Sequence, residues 1–275
     1  MIPTSTLPRE AGEGREGAEN TMSYIEVNGE QLYYAESRSP DARLAMVLIH
    51  GAGENHLVWP ASLRRVDGVT VYALDLPGHG KSGGLGRASV GDYVTVLLGW
   101  LDALDVQRAI IAGHSMGGAI AQQFALGHPA RVMGLVLVAT GARLRVAPAI
   151  LDGILTDTDA TLDLVTRYAW GPGAPEQMAQ RGRAQMAEVN PQVVANDYAA
   201  CNAFDVMDRV GQIAAPTLVI GGTADQMAPP KYAAFLAEKI PGARRVMIEG
   251  AGHMVMLEQP DLVAQQVGQF LAAIA

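Results

Sequence analysis

The chain has 275 residues, 49% hydrophobic and 17% charged, which suits one large domain or two small ones and excludes a disordered chain. A net charge of −8 with no run of Lys or Arg argues against a nucleic-acid partner. The single cysteine, Cys201, leaves no disulfide framework and no cysteine metal site, and no apolar stretch reaches the length of a membrane span.

Residues 1–21 are polar, rich in Gly and Glu, and lack the apolar stretch of a signal peptide. They read as a flexible tail, with Met22 a candidate start and a cytoplasmic location expected. Ser23–Val27 and Gln31–Ala35 then flank Asn28-Gly29-Glu30, the pattern of an antiparallel hairpin. The apolar run Ala45–Ile49 suits a strand buried on both faces, and it ends in the small-residue loop His50-Gly51-Ala52-Gly53. A short helix is expected over Trp59–Arg65. Val69–Leu74 is a further strand, followed by the turn-rich Asp75-Leu76-Pro77-Gly78-His79-Gly80-Lys81-Ser82. Ser89 is placed to cap a helix from Val90 to about Leu104, whose Tyr93, Val96, Leu97, Leu101 and Leu104 share one face.

Arg108–Ala112 reads as a strand and Gly118–Leu126 as a helix, with Gly113-His114-Ser115-Met116-Gly117 between them. Reversing a strand into a helix in about five residues forces Ser115 into strained geometry, and glycines two residues either side relieve the collision that follows. Val132–Val138 is the next strand. The repeated strand–helix order implies a mainly parallel sheet with helices on both faces. Residues 141–211 break that rhythm: they are helical in propensity, rich in Ala and Met, interrupted by Pro148, Gly171-Pro172-Gly173, Pro175 and Pro191, and too long for a crossover. They read as a helical cap inserted into a core of residues 22–140 and 212–275. Strands at Thr217–Ile220 and Arg244–Ile248 and helices at Pro230–Lys239 and Asp261–Ile274 complete the chain.

A serine hydroxyl needs an adjacent base, and the base needs a group that fixes its tautomer. Ser115, Asp225 and His253 each follow a buried strand, so a parallel sheet brings all three to its carboxyl edge. Among six histidines, His253 alone follows the last strand on a glycine-flanked loop. His50 and His79 read as partners of backbone in tight loops, His114 as a packing residue, His128 as solvated and His56 as a possible substrate contact. Asp75 reads as a turn stabiliser, and Asp205 and Asp208 as structural. Oxyanion donors are expected at the N–H groups of Met116 and Ala52. Leu144, Met227 and Met254 are expected to line a substrate pocket with His56, and Leu151, Ile154, Leu155, Leu162, Leu164, Met178, Met186 and Tyr198 supply further apolar surface, part to pack on the sheet's edge and part to roof the serine.

The segments Leu48–Gly53, Asp75–Ser82, Gly113–Gly118, Ala215–Asp225 and Gly252-His253 with Glu258-Gln259-Pro260 resemble, in this order, the motifs of the α/β-hydrolase fold superfamily. The resemblance extends over about Met22 to Ala275 and is weakest across the insertion. It implies an eight-stranded, mostly parallel sheet whose second strand is antiparallel, a small helical cap, and no cofactor or metal. Serine at 115 is unlike the epoxide hydrolases and haloalkane dehalogenases, which carry aspartate there. Gly-His-Ser-Met-Gly-Gly is similar to carboxylesterases and monoacylglycerol-lipase-like enzymes, whereas carbon–carbon bond hydrolases often have Asn where this chain has His114.

The function this implies is hydrolysis of a small-molecule carboxylic ester of short to medium acyl length through an acyl-enzyme, by a monomer or homodimer. A lactonase, a diketone carbon–carbon hydrolase or a cofactor-free perhydrolase would share the same triad. A non-catalytic binding member of the fold would be expected to have a broken one.

Overall fold

In the computed structural model, which describes residues 19–275, the chain is built on one eight-stranded sheet of order β1-β2-β4-β3-β5-β6-β7-β8. The strands are β1 (Glu19–Val27), β2 (Glu30–Arg38), β3 (Leu44–Ile49), β4 (Val69–Leu74), β5 (Ala109–His114), β6 (Val132–Val138), β7 (Thr217–Gly222) and β8 (Arg244–Ile248). β2 runs antiparallel to both its neighbours, and β4, β3, β5, β6, β7 and β8 pair in parallel. Asn28 and Gly29 both have positive φ, 53° and 83°, as a two-residue hairpin turn with the twist of its strands requires. The tail expected over residues 1–21 lies outside the described residues except for its last three, which pair with β2 through backbone and so belong to β1.

Ten α-helices are described: α1 (Ala61–Arg64), α2 (Val90–Ala103), α3 (Met116–Gly127), α4 (Pro148–Gly153), α5 (Thr158–Ala169), α6 (Glu176–Ala187), α7 (Pro191–Ala203), α8 (Pro230–Lys239), α9 (Val255–Glu258) and α10 (Pro260–Ile274). Ser89 caps α2 by accepting the N–H of Asp92. The expected helix at Trp59–Arg65 is shorter and is preceded by a 3₁₀ turn at His56–Val58.

Alternate residues of the central strands feed two cores, as a sheet covered on both faces demands. Val47, Ile49, Ile111, Leu135, Leu137 and Val219 join Leu97, Phe124 and Leu236 of α2, α3 and α8. Met46, Leu48, Ile110, Val136, Val138 and Ile220 join Leu63, Val263 and Phe270 of α1 and α10. Residues 141–211 carry α4 to α7 and no strand, and their own apolar cluster of Ile150, Ile154, Leu162, Val165, Val193, Val194 and Tyr198 packs against Ala52 and Met227. Of the apolar residues assigned to the roof, Leu144, Met186 and Tyr198 face the cavity described below, while Leu155 is exposed. Among the described residues, no helix is long and apolar enough to cross a membrane.

Candidate active site

The turn between β5 and α3 holds Ser115 at φ 52°, ψ −113°, a left-handed conformation that costs a non-glycine residue about 1–3 kcal/mol. Its neighbours over-determine it. A Cβ on Gly113 would lie 2.1 Å from the Gly117 carbonyl oxygen, and one on Gly117 would lie 2.2 Å from that of Ile49. The Ser115 N–H donates to Val138 O at 3.0 Å, and the Thr140 hydroxyl donates to Ser115 O at 2.8 Å. Ser115 occupies the N-cap of α3, yet its hydroxyl does not cap the helix. It lies 2.9 Å from His253 Nε2 instead.

His253 follows β8, and its Nδ1 lies 2.9 and 3.2 Å from the two carboxylate oxygens of Asp225, which follows β7. Asp225 Oδ1 also accepts the N–H groups of Met227 and Ala228 at 2.9 and 2.8 Å, so the carboxylate is fixed before it meets the imidazole. Burial alone would lower the His253 pKa, but the charge and hydrogen bond of Asp225 outweigh it and hold the imidazole above its ordinary value. The His253 loop is fastened from the insertion: its N–H donates to Ala169 O at 2.8 Å, and Glu258 accepts the N–H groups of both Gly252 and Gly171. That contact gives the Glu258-Gln259-Pro260 stretch a mechanical role.

The loop after β3 completes the site. His50 Nε2 accepts the N–H of Leu76 at 3.0 Å, which leaves its Nδ1–H to donate to Gly51 O at 2.8 Å. Burial pushes the His50 pKa down to about 4, consistent with this neutral tautomer. No hydrogen bond among the described residues uses the N–H of Ala52 or of Met116, the first residue of α3. Ala52 and Ser115 border a cavity of about 330 Å³, closed on the other side by Leu144, Val146, Ile150, Val165, Met186 and Tyr198 of the insertion. Met227 and Met254 also line it.

His56 does not. Its Nδ1 and its N–H both meet Asp75 Oδ1, at 2.8 and 2.7 Å, and its ring packs on Tyr33. Asp75 is fully buried and needs those donors, with the N–H of Lys81 supplying another, so His56 belongs to a turn and not to the cavity. Nor is His114 a plain packing residue: its ring nitrogens face Glu54 Oε2 at 2.9 Å and the His253 carbonyl at 3.1 Å.

Two acids escaped the sequence reading. Glu54 lines the cavity and accepts the N–H of Gly51 at 2.6 Å. Burial opposes its charge, but His114 and that N–H together keep its carboxyl below the usual range. Asp197 is completely buried on α7, where it accepts from His79 Nε2 at 2.7 Å, from the Gly53 N–H at 2.9 Å and from the Tyr93 hydroxyl. Its signal was a lone acid among Val193, Val194, Tyr198 and Cys201 on the apolar face of a helix. Among the described residues, no group of three or more His, Cys, Asp or Glu side chains is arranged to hold a metal ion.

Comparison with known proteins agrees with this architecture. The chain is 29% identical over 258 residues to a pimeloyl-(acyl-carrier protein) methyl ester esterase of Yersinia enterocolitica, covering 87% of this chain and 97% of that one. A solved thermophilic esterase superposes with a TM-score of 0.83 at 32% identity, covering 94% of this chain and 99% of its own. An enol-lactonase from Burkholderia xenovorans superposes with a TM-score of 0.84 at 26% identity, covering 91% and 100%. Residues 46–266 match the sequence profile of the Alpha/beta hydrolase family, and with the eight-stranded sheet and its serine turn this establishes that the chain belongs to that family.

Proposed function

We propose that the protein is a serine hydrolase of carboxylic esters, with Ser115 as nucleophile, His253 as general base and acid, and Asp225 as the group that orients and stabilises the imidazole. The observation that carries this reading is the unbroken contact chain from Asp225 through His253 to Ser115, ending in an apolar cavity beside two unclaimed N–H groups.

As Ser115 Oγ attacks the ester carbonyl, His253 Nε2 takes its proton and Asp225 stabilises the imidazolium. The negative charge that develops on the carbonyl oxygen is met by the N–H groups of Ala52 and Met116, the latter at the positive end of α3. Collapse of the adduct breaks the ester bond, and His253 returns the proton to the departing alcohol. Water then repeats the sequence on the acyl-enzyme and releases the acid. The site needs no further charged group for any of these proton transfers.

The esterase relatives support the ester as substrate, and the likeness to an enol-lactonase supports lactones, which are internal esters, as a second class. A cavity of about 330 Å³ lies at the small end of ligand pockets, which supports short to medium acyl chains. The test is a chain-length series of aryl esters run alongside lactones, on wild type and Ser115→Ala. Turnover that is highest for short to medium esters and lost in the variant is expected. Stable labelling of Ser115→Ala by an organophosphonate would overturn the assignment.

A further inference from the structure

The candidate oxyanion loop is not self-supporting. Of its consecutive N–H groups, that of Gly51 donates to Glu54 Oε2, that of Gly53 to Asp197 Oδ2, and that of Glu54 to Gly51 O at 3.4 Å. Only the N–H of Ala52 is left to the cavity. Gly53 has φ +66°, and a glycine in that region has no side chain to hold it there. The peptide between Ala52 and Gly53 is therefore fixed by its hydrogen bond to a carboxylate 144 residues away, on α7. The preceding peptide is fixed through its oxygen by His50, which in a planar trans unit turns the Ala52 N–H to the opposite side. One anchor comes from the core and one from the insertion.

Asp197 is in turn locked in place. It is completely buried, its Oδ1 accepts from Tyr93 on α2, and its Oδ2 is shared between Gly53 and His79, whose Nδ1 donates to Pro77 O. Its two contacts to the loops, from Gly53 and His79, meet the same oxygen and persist without Tyr93, so α7 and the loop cannot shift independently.

We propose that Asp197 is a positioning residue for the oxyanion site: it pins Gly53 so that the Ala52 N–H is preorganised, and it makes the seating of α7 part of the catalytic geometry. This rests on the reading of Ala52 as an oxyanion donor. The insertion is then more than a roof over the substrate.

The test is Asp197→Leu, which keeps the branched shape but has no acceptor for the Gly53 N–H, beside Tyr93→Phe, which removes another donor to the same carboxylate without touching Gly53. Amide hydrogen exchange over residues 50–56 reads the anchor, and kcat and KM on an aryl ester read its consequence. Asp197→Leu is expected to speed exchange at Gly53 and to lower kcat about 10- to 100-fold with KM changed less than about threefold, since one oxyanion donor accounts for about 10²–10³. Tyr93→Phe is expected to melt earlier while kcat stays within about twofold. Unchanged kcat in folded Asp197→Leu, or a loss equal in both variants, would overturn the proposal. If Asp197→Leu does not fold, the double variant Asp197→Leu, His79→Gln, which leaves no unpaired charge, takes its place with the same criteria. Faster exchange at Gly53 with kcat intact would remove Ala52 from the oxyanion site while leaving the Ser115 assignment to its own labelling test.

Discussion

His253 Nδ1 lies 2.9 Å from an Asp225 carboxylate that two backbone N–H groups already hold in place. On the proposed reading, orientation of the base is therefore built on the backbone after β7. Ser115→Ala and His253→Ala are each expected to remove nearly all activity, by about 10⁴-fold or more, because the two act as one unit. Asp225→Asn is expected to lose less, since nucleophile and base remain. Single-turnover rates on an aryl ester, with circular dichroism to establish folding, check the order of the three.

The same contact sets the pH dependence. The proposed base, His253, works only when neutral, and Asp225 holds its pKa above the ordinary 6.5 against the lowering effect of burial. Activity is thus expected to rise with pH along a limb whose midpoint in kcat/KM lies above 6.5. In Asp225→Asn, only the weaker charges of Glu54 and Glu258 oppose burial, so the midpoint of the residual activity is expected to move to lower pH. A profile of both proteins from pH 5 to 9 separates this from a simple loss of rate.

The turn carrying Ser115 fixes a third expectation. A Cβ on Gly117 would meet the carbonyl oxygens of Ile49 and His50 at 2.2 and 2.7 Å, backbone atoms of the adjoining strand end that no side-chain rotation relieves. Gly117→Ala is expected to cost about 2–4 kcal/mol in stability and to shift the serine. Gly127→Ala, where the added carbon meets nothing within 4 Å, serves as its control in a urea titration.

How far these features were legible differs by their physical origin. Apolar runs and glycine turns are local, so β4, β6, α8 and β8 lie where their sequence patterns put them. The juxtaposition of Ser115, Asp225 and His253 was legible because each follows a parallel strand, the last of them the part-exposed edge strand β8, and parallel strands deliver their carboxyl ends to one edge. The partners of His56, His114 and Asp197 were not. Each is chosen by an acid or donor 19 to 144 residues distant, and no local periodicity encodes which buried acid will face which ring. The small α9 also escaped, because four residues carry too little pattern to register.

The final expectation concerns the width of the substrate cavity. Met186 on α6 borders the main cavity and also a smaller void of about 40 Å³ lined by Trp170, Gly182 and Arg183, so its side chain is part of the wall between the two. α6 contributes no buried residue of its own and is tied to α5 through Arg183, which pairs with Asp159 and Asp163 at the surface. The wall thus rests on a flexible thioether, which adapts to neighbours more readily than a branched side chain. Each methylene that finds apolar cover is worth about 0.8 kcal/mol, or about fourfold in kcat/KM. In wild type that gain is expected to stop when the cavity is full. Met186→Ala joins the two voids, so the optimum in an acyl chain-length series is expected to move to longer esters, with short esters losing about fourfold for lost contact. Met186→Trp is expected to move it to shorter ones. An optimum that stays in place in both variants would mean that the acyl chain lies elsewhere in the cavity, against Leu144 and Ile150.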